Sequence, residues 1–222
     1  MKADRIATRF AAVPDDVEFI PLPDRPGPSM ADPRVTRPVP EDARLVAPSR
    51  RWRASFVAAA QEGFRRGNRA AMSPREVARL KRDFDGFLAE RVRQTGSIVL
   101  PGGERVQPVP FSLHWLVVGD EFVGEMSFRH ELNAYLRLSG GHIGYGIRPS
   151  FAGRGFGKRL LALGKIEARR LGLRRLLVTC HDDNPASTRI IEANGGVLED
   201  IVDDIFGGGP LRRYWIDLDR PG

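Results

Sequence analysis

The fold is decided by residues 147–161, which read IRPSFAGRGFGKRLL. The apolar residues before this stretch predict a strand, and a loop that carries Gly153, Gly155 and Gly157 leads directly into a helix. Glycines leave backbone N–H groups accessible to an anion, and a helix N-terminus adds free N–H groups and the positive end of its dipole. The sequence therefore predicts a phosphate-binding turn between a strand and a helix.

This turn does not match the two common nucleotide-binding patterns. A P-loop requires G-x-x-x-x-G-K-[ST], but Ala152 occupies the first glycine position and Arg159 the hydroxyl position. A dinucleotide fingerprint requires G-x-G-x-x-G, and counting from Gly153 places Lys158 at the last glycine. The turn is therefore expected to bind a phosphate group without following either of these two nucleotide-binding patterns.

A second motif follows in residues 178–196, which read VTCHDDNPASTRIIEANGG. Asn184 is a favourable N-cap, Pro185 suits the first helical position, and Gly195 ends the helix. The segment predicts a short apolar strand, a helix and a closing glycine. Two further strands, GVLEDIVDD and LRRYWIDL, complete the chain.

Upstream of the turn, the pattern alternates between strands and amphipathic helices. A strand is predicted over 43–49, a helix over 52–67 and a second helix over 73–96, which Ser73 and Glu76 open with a capping box. Strands on both sides of Gly119-Asp120 indicate a hairpin. The strand–helix–strand unit around the glycine-rich turn is expected to be parallel and right-handed. The predicted fold is of the α/β (α+β) class, a mixed central sheet with helices on both faces.

These motifs together resemble the GNAT superfamily of acyl-CoA N-acyltransferases. Gly155 and Gly157 match the glycine pair of its motif Q/R-x-x-G-x-G/A, although Ala152 stands at the Q/R position. Asn184 and Ser187 match its downstream Asn-x-x-[Ala/Ser]. The resemblance extends from about residue 43 to 218 and implies the GNAT fold, with two parallel strands splayed around acyl-CoA.

The resemblance also implies which residues bind acetyl-CoA, the default donor. The backbone N–H near Ile147 would polarise the thioester carbonyl, and Gly144 and Gly146 would suit a bulge or a close backbone approach. Asn184 would contact the pantetheine arm, cap the following helix, or do both. The residues expected at the co-substrate are Ile147, Arg148, Gly153, Arg154, Gly155, Phe156, Gly157, Lys158, Asn184 and Ser187.

The implied reaction is direct attack of a primary amine on the thioester in a ternary complex. An alkyl ammonium has a pKa of about 10.4, so a base assists attack at neutral pH. His142 is the first candidate for this base and Glu125 the second, with a hydrogen-bonding histidine and an outward charge as their structural alternatives.

The general acid is left open by the sequence. Many members of the superfamily place a tyrosine seven residues after the asparagine, and here that residue is Ile191. Tyr145, Tyr214, Cys180 or water could take its place.

Composition sets the remaining expectations. Eight of 17 prolines lie within residues 1–40, so 1–41 is expected to be a Pro-rich extension and 42–222 the catalytic domain. A single cysteine, the absence of an apolar stretch of 18 residues and scattered histidines favour a cytoplasmic protein with no membrane span and no metal. The net charge of +7 is concentrated in residues 41–110, which weakly favours an acidic or phosphorylated acceptor.

Two other functions are consistent with the sequence. Loss of the Q/R residue and of the tyrosine acid would fit a non-catalytic acyl-CoA binder. The positive charge would fit an RNA- or ribosome-associated protein, but no recognition motif supports nucleic acid as a partner. The acceptor, the acyl length and a homodimer through the extension are left open.

Overall fold

A computed structural model describes residues 39–67, 69–93 and 98–219. The greater part of the expected extension (1–41) lies outside these ranges, although Val39 packs against the core. The elements are β1 (Arg44–Val46), α1 (Arg53–Gln61), α2 (Pro74–Arg82), α3 (Phe84–Val92), β2 (Ile98–Val99), β3 (Arg105–Val106), β4 (Phe111–Val118), β5 (Glu121–Arg129), β6 (Ile143–Ile147), α4 (Phe156–Arg170), β7 (Arg175–His181), α5 (Pro185–Glu192), β8 (Gly196–Asp203) and β9 (Pro210–Asp217).

The central sheet confirms the mixed topology. Its seven strands run in the order β1-β4-β5-β6-β7-β9-β8, and β6 and β7 form its parallel pair. Their register joins Ile143 to Val178, and no described residue of β6 beyond Ile143 pairs with β7. The two strands therefore diverge after their first contact, which confirms the splayed parallel strands of the GNAT fold.

Helices cover both faces of this sheet. One buried cluster joins α4 and α5 to the sheet through side chains such as Leu160, Val178 and Ile191. The other joins α1, α2 and α3 to β4 and β5, and its centre is Trp115 stacked on Phe56 with ring centroids 4.7 Å apart. Because α4 and α1 pack on opposite faces, the splayed strands lie between two separately packed hydrophobic clusters.

The helix predicted over 73–96 is two helices in the structure. Its N-terminus is as expected, since Ser73 and Glu76 form both hydrogen bonds of the capping box. Asp83 breaks the continuation because its backbone leaves the helical region, and its side chain accepts a hydrogen bond from the Gly86 N–H at 2.8 Å. An aspartate inside an apolar stripe therefore acts here as the N-cap of α3.

The bulge considered at Gly144 and Gly146 is absent from β6. This strand pairs with β5 in unbroken register from Phe128–Ile143 to Gly124–Ile147. The alternative, a close backbone approach, is found at Gly146. An added Cβ at this glycine would lie 2.1 Å from the carbonyl oxygen of Arg65, so only glycine lets the 65–67 loop pass over β6.

Candidate active site

A cleft of about 1210 Å³ opens where β6 and β7 diverge. One end is lined by the glycine-rich turn and the start of α5, and the other by residues 65–67 and 69, α3 and β5. We call the first end the donor half and the second the acceptor half. Strand β6 runs between them and contributes Ile143 to Ile147 to the lining.

The backbone of β6 has free polar groups on its open side. Arg129 N–H donates to the His142 carbonyl and Arg148 N–H to the Val123 carbonyl, both at 2.8 Å, which fixes the hydrogen-bonding alternation with β5. In an antiparallel pair the intervening residues direct their N–H groups to the opposite side. The N–H groups of Tyr145 and Ile147 therefore point into the gap towards β7.

The glycine-rich turn has the conformation that the sequence analysis expects. Gly153 and Gly155 have φ values of 74° and 84°, and Gly155 is the residue before the first turn of α4. Positive φ values of this size are readily adopted by glycine alone. Gly157 is buried, and a Cβ there would lie 2.4 Å from Cδ1 of Ile190, so it sets the close packing of α4 on α5. The free N–H groups of the α4 N-terminus consequently face the donor half.

The predicted cationic residues of this turn take two different positions. Lys158 is exposed on the first turn of α4 and lines the cleft. The guanidinium of Arg154 instead lies over the rings of Phe151 and Phe156, 5.0 and 5.6 Å from their centroids. Lys158 is therefore the cation of the turn that lines the donor half, and Phe156 is a buried packing residue.

The start of α5 brings the polar side chains of Asn184 and Ser187 to the same half, next to Tyr145 of β6. The Asn184 side chain accepts a hydrogen bond from the Ser187 N–H at 3.0 Å, so it caps α5 as one of its two predicted roles. The Ser187 hydroxyl lies 2.7 Å from the Tyr145 hydroxyl. Burial raises the pKa of Tyr145 to about 12, so the phenol is protonated at neutral pH. These groups place a hydroxyl pair near the gap between β6 and β7.

Arg148 does not extend into the donor half. Its guanidinium donates to Glu62 at 2.8 Å and to Glu121 at 2.8 Å, and Ser55 accepts a third hydrogen bond. Its backbone N–H is used by Val123. The side chain is 8% exposed, and this network ties α1 to the end of β6. The geometry gives Arg148 a structural position and does not support the predicted contact with acetyl-CoA.

His142 is turned into the sheet and away from the cleft. Its Nδ1 accepts a hydrogen bond from the Leu177 N–H at 2.9 Å, and the side chain is 5% exposed. Burial lowers the pKa of His142 to about 4, and its ring lies 6.4 Å from that of Trp215. A histidine whose acceptor nitrogen is occupied has no lone pair for a substrate proton. The contacts match the structural alternative, a hydrogen-bonding histidine at a strand end.

Glu125 is fully buried and already paired. It forms ion pairs with Arg91 and with Arg66, whose Nε lies 3.7 Å away, and its other oxygen accepts from Trp115 Nε1 at 3.0 Å. Two guanidiniums and an indole N–H thus occupy both of its carboxylate oxygens. The geometry therefore favours a positioning role in the acceptor half over abstraction of a proton.

The acceptor half is strongly cationic, a property that the sequence motifs did not reveal. Arg66, Arg69, Arg91 and Arg129 all line it, and we call these four residues the arginine cluster. They come from a loop, a helix and a strand that are distant in sequence. The basic balance of residues 41–110 is the one sequence signal that pointed to part of this cluster.

Other predicted features are located as follows. Cys180 lines the cleft, and burial raises the pKa of its thiol, which keeps it protonated at neutral pH. Tyr214 is buried, with its hydroxyl 3.4 Å from Glu192. Within residues 39–67, 69–93 and 98–219, no cluster of three metal-ligating side chains is present. None of the helices in these ranges combines the length and hydropathy that a bilayer crossing demands.

Fold and site together define an acyl-CoA-dependent N-acyltransferase. Residues 29–197 match the family described as the acetyltransferase (GNAT) domain. Because this match covers more than half of the chain, the protein belongs to the GNAT acetyltransferase family. The comparison with curated protein sequences finds no match.

Solved structures show the same fold at low sequence identity. An acetyltransferase from Salmonella typhimurium that modifies the N-terminal serine of ribosomal protein L7/L12 aligns with a TM-score of 0.53 at 19% identity, over 82% of this chain and 98% of its own. RimL, an α-N-protein acetyltransferase of L7/L12 in complex with coenzyme A, gives 0.51 at 20% identity over 82% and 98%. A spermidine N-acetyltransferase SpeG chimera from Vibrio cholerae and hSSAT gives 0.50 at 15% identity over 80% and 97%.

Proposed function

We propose that the protein transfers the acetyl group of acetyl-CoA to a primary amine by direct attack in a ternary complex. The observation that carries this proposal is the divergence of β6 from β7 beside the glycine-rich turn. The N–H groups of Tyr145 and Ile147 face the gap, and the α4 N-terminus with Lys158 lines the same half. The turn would hold the diphosphate, while the Ile147 N–H would stabilise the oxyanion that forms on the thioester carbonyl.

The balanced step requires a neutral amine and a protonated leaving group. The amine nitrogen forms a bond to the acetyl carbon, the carbon–sulfur bond breaks, and the coenzyme A thiolate takes up a proton. We assign this proton to the hydroxyl pair of Tyr145 and Ser187, which borders the gap. The attacking nitrogen releases one of its two protons to solvent and keeps the other as the amide N–H, and the hydroxyl pair regains a proton from solvent.

The arginine cluster would assist the loss of the first proton from the amine. Cations close to an ammonium group favour its neutral form, as any like charge does. The ionisable side chains that line this part of the cleft are Arg65, Arg66, Arg69, Glu90, Arg91, Arg93, Arg129 and Tyr135. Burial raises the pKa of the Tyr135 phenol. Glu125 lies buried behind Arg66 and Arg91. Because the guanidiniums outnumber the carboxylates, the balance lowers the pKa of a bound amine. We therefore propose Glu125 as a positioning residue for Arg66 and Arg91, and no proton-abstracting role for His142.

The diphosphate site is tested by reversing the charge of Lys158. We expect Lys158→Glu to weaken acetyl-CoA binding about tenfold or more, about 1.4 kcal/mol, because the new carboxylate repels the co-substrate phosphates. Lys158 is exposed, so the fold tolerates the change. Isothermal titration with acetyl-CoA gives the dissociation constant.

Lys81→Glu is the matched control, since Lys81 is exposed on α2 outside the cleft. An equal loss of affinity in both variants would mean that net charge, and not the turn, governs binding. Tight acetyl-CoA binding by the wild-type protein without thiol release on any amine would favour the non-catalytic binder.

The proposed enzyme is cytoplasmic, because a single buried thiol without a disulfide suits a reducing compartment.

A further inference from the structure

The acceptor half carries more positive charge than its own carboxylate can balance. Among the described residues that line this half, the acidic side chain is Glu90, which pairs with Arg79 outside the cleft. Glu125 is fully buried behind the lining, where it pairs with Arg66 and Arg91. Glu125 is therefore the carboxylate that contacts the arginine cluster.

Two members of the cluster are fixed by Glu125. Arg91 is 13% exposed, and its guanidinium lies over the ring of Phe87 at 5.1 Å from the centroid. Arg66 is 22% exposed and directs its Nε to the same carboxylate oxygen as Arg91. Because both cations share one anion, the charge of one of them is left without a counterion inside the cleft.

The other two members have no anionic partner among the described residues. Arg129 donates to the carbonyl oxygens of Gly140 and Gly141 at 3.2 and 3.3 Å, which orients its guanidinium without neutralising it. Arg69 is exposed at the cleft surface. Burial and the neighbouring arginines lower the pKa of Arg66 to about 10, and burial lowers that of Arg129. The fold therefore keeps these like-charged guanidiniums close together despite their mutual repulsion.

The cluster lies within reach of the reacting carbonyl. Glu125 stands opposite Gly146 in the β5–β6 register, next to Ile147. An added Cβ at Gly144 would lie 3.7 and 3.8 Å from Nη1 and Nη2 of Arg129, so this guanidinium lies over the middle of β6. Gly144 is three residues from Ile147, which is roughly 10 Å along a strand. A group bound by Arg129 would therefore lie up to roughly 10 Å from an amine placed at the thioester.

We propose that the acceptor of this enzyme carries a carboxylate or phosphate group up to roughly 10 Å from its amine, and that Arg66, Arg69 and Arg129 bind that group. This inference rests on the proposed acetyl transfer and names the substrate class of the same site. An anion would supply the counterion that the cluster lacks, and guanidiniums bind carboxylates and phosphates through paired N–H groups. A polycationic acceptor would instead add to the repulsion.

The test measures kcat/KM by release of the coenzyme A thiol with amines matched in all but charge. β-Alanine is compared with β-alaninamide, O-phosphoethanolamine with ethanolamine, and the tripeptide Ala-Asp-Asp with Ala-Asn-Asn amide, with 1,3-diaminopropane as the dication. We expect the anionic member of at least one pair to react about tenfold or more faster, which corresponds to about 1.4 kcal/mol. The pair that shows the preference tells whether the anion belongs to a small molecule or to a peptide.

Arg69→Glu connects this preference to the cluster. Arg69 is exposed, so the variant is expected to fold. Its kcat/KM should fall further for the anionic amine than for the neutral partner, so that the ratio of the two values drops towards one. Arg75→Glu, on the exposed first turn of α2 outside the cleft, is the matched control and should leave both values unchanged. Arg129→Gln, checked for folding by its melting temperature, should reduce the preference through a buried member of the cluster.

The outcomes separate this inference from the function on which it rests. Equal or faster reaction of the neutral or cationic amines would overturn the anionic acceptor and leave acetyl transfer intact. An anion preference that Arg69→Glu and Arg129→Gln both preserve would overturn the assignment to the arginine cluster. If no amine reacts although acetyl-CoA binds, both proposals fall and only the donor half stands.

Discussion

The donor and acceptor halves of the cleft are built in opposite ways. The donor half uses backbone N–H groups of one continuous segment, from β6 through the glycine-rich turn to α4, with α5 added. The acceptor half uses side chains that three distant segments bring together around Glu125. The difference teaches that co-substrate binding can follow from a local motif, whereas acceptor binding depends on the packing of the whole domain.

The largest expected effect tests whether the acceptor half depends on its buried carboxylate. Glu125→Gln keeps the shape but leaves Arg66 and Arg91 without their anion. We expect the free energy of unfolding to fall by about 3–5 kcal/mol, as for other broken buried ion pairs. Urea denaturation measures the loss. Acetyl-CoA affinity of the folded variant should stay within about threefold if the two halves are independent.

Glu90→Gln provides the control for this measurement. Its ion pair with Arg79 is exposed on both sides, so its loss should cost less than about 1 kcal/mol. Equal losses of unfolding free energy in the two variants would show that the buried ion pairs of Glu125 stabilise the fold no more than an exposed pair does. A collapse of acetyl-CoA binding in Glu125→Gln alone would show that the halves are coupled.

A smaller effect concerns the titration of His142. Its pKa is about 4 in the folded protein because of burial, and about 6.5 when unfolded. Between these values the unfolded chain binds more protons, so the free energy of unfolding falls as the pH drops from 6.5 towards 4. His142 alone would account for roughly 3 kcal/mol of this loss, at 1.36 kcal/mol for each pH unit.

His142→Asn separates titration from structure, since an amide oxygen can still accept from the Leu177 N–H. We expect the variant to lose less stability than the wild type between pH 7.5 and 4.5 in urea titrations. Its kcat at pH 7.5 should stay within about threefold. A large fall in kcat that deepens below pH 8 would restore His142 as the base.

The smallest effect concerns the donor half. Tyr145→Phe removes the hydroxyl assigned to the leaving thiolate, and we expect kcat to fall about tenfold while acetyl-CoA affinity is unchanged. The effect is modest because a thiolate with a pKa near 8.5 departs with little assistance. Stopped-flow and steady-state thiol release measure it.

Tyr214→Phe is the matched control, because its hydroxyl lies near Glu192 and the residue does not line the cleft. We expect its kcat to equal that of the wild type. A fall in kcat in Tyr214→Phe alone would instead assign to Tyr214 the proton that the coenzyme A thiolate takes up.

The backbone conformation of the glycine-rich turn and the start of α5 could be predicted from the sequence because their determinants are local. Gly153 and Gly155 are needed for a left-handed backbone, and Asn184 with Pro185 marks a helix start whatever surrounds it. The mixed sheet followed from the order of the predicted elements, and the divergence of β6 from β7 was implied by the resemblance to the GNAT superfamily.

The acceptor half could not be read in this way. Glu125 lies among apolar residues in β5, and its burial depends on Arg91 from α3 and Trp115 from β4. A histidine of ordinary pKa fits a general base, but burial lowers the pKa of His142, and its Nδ1 accepts a hydrogen bond from the Leu177 N–H. An aspartate such as Asp83 can also occupy a helix interior at a small cost in propensity. The hydrogen bond that its side chain accepts from the Gly86 N–H is what separates α2 from α3. Each of these outcomes depends on tertiary contacts that no local pattern contains.

The passage of the 65–67 loop over β6 has a consequence for how this enzyme could change its substrate. The Arg65 carbonyl occupies the space above Gly146, and the Gly67 N–H donates to the Tyr145 carbonyl at 3.1 Å. Both contacts are made by main-chain atoms, so side chains at neighbouring loop positions can be exchanged while the path of the loop is kept. New acceptor preferences are thus open to point substitution in this loop, whereas any side chain at Gly146 would lift the loop away from the strand that presents the thioester.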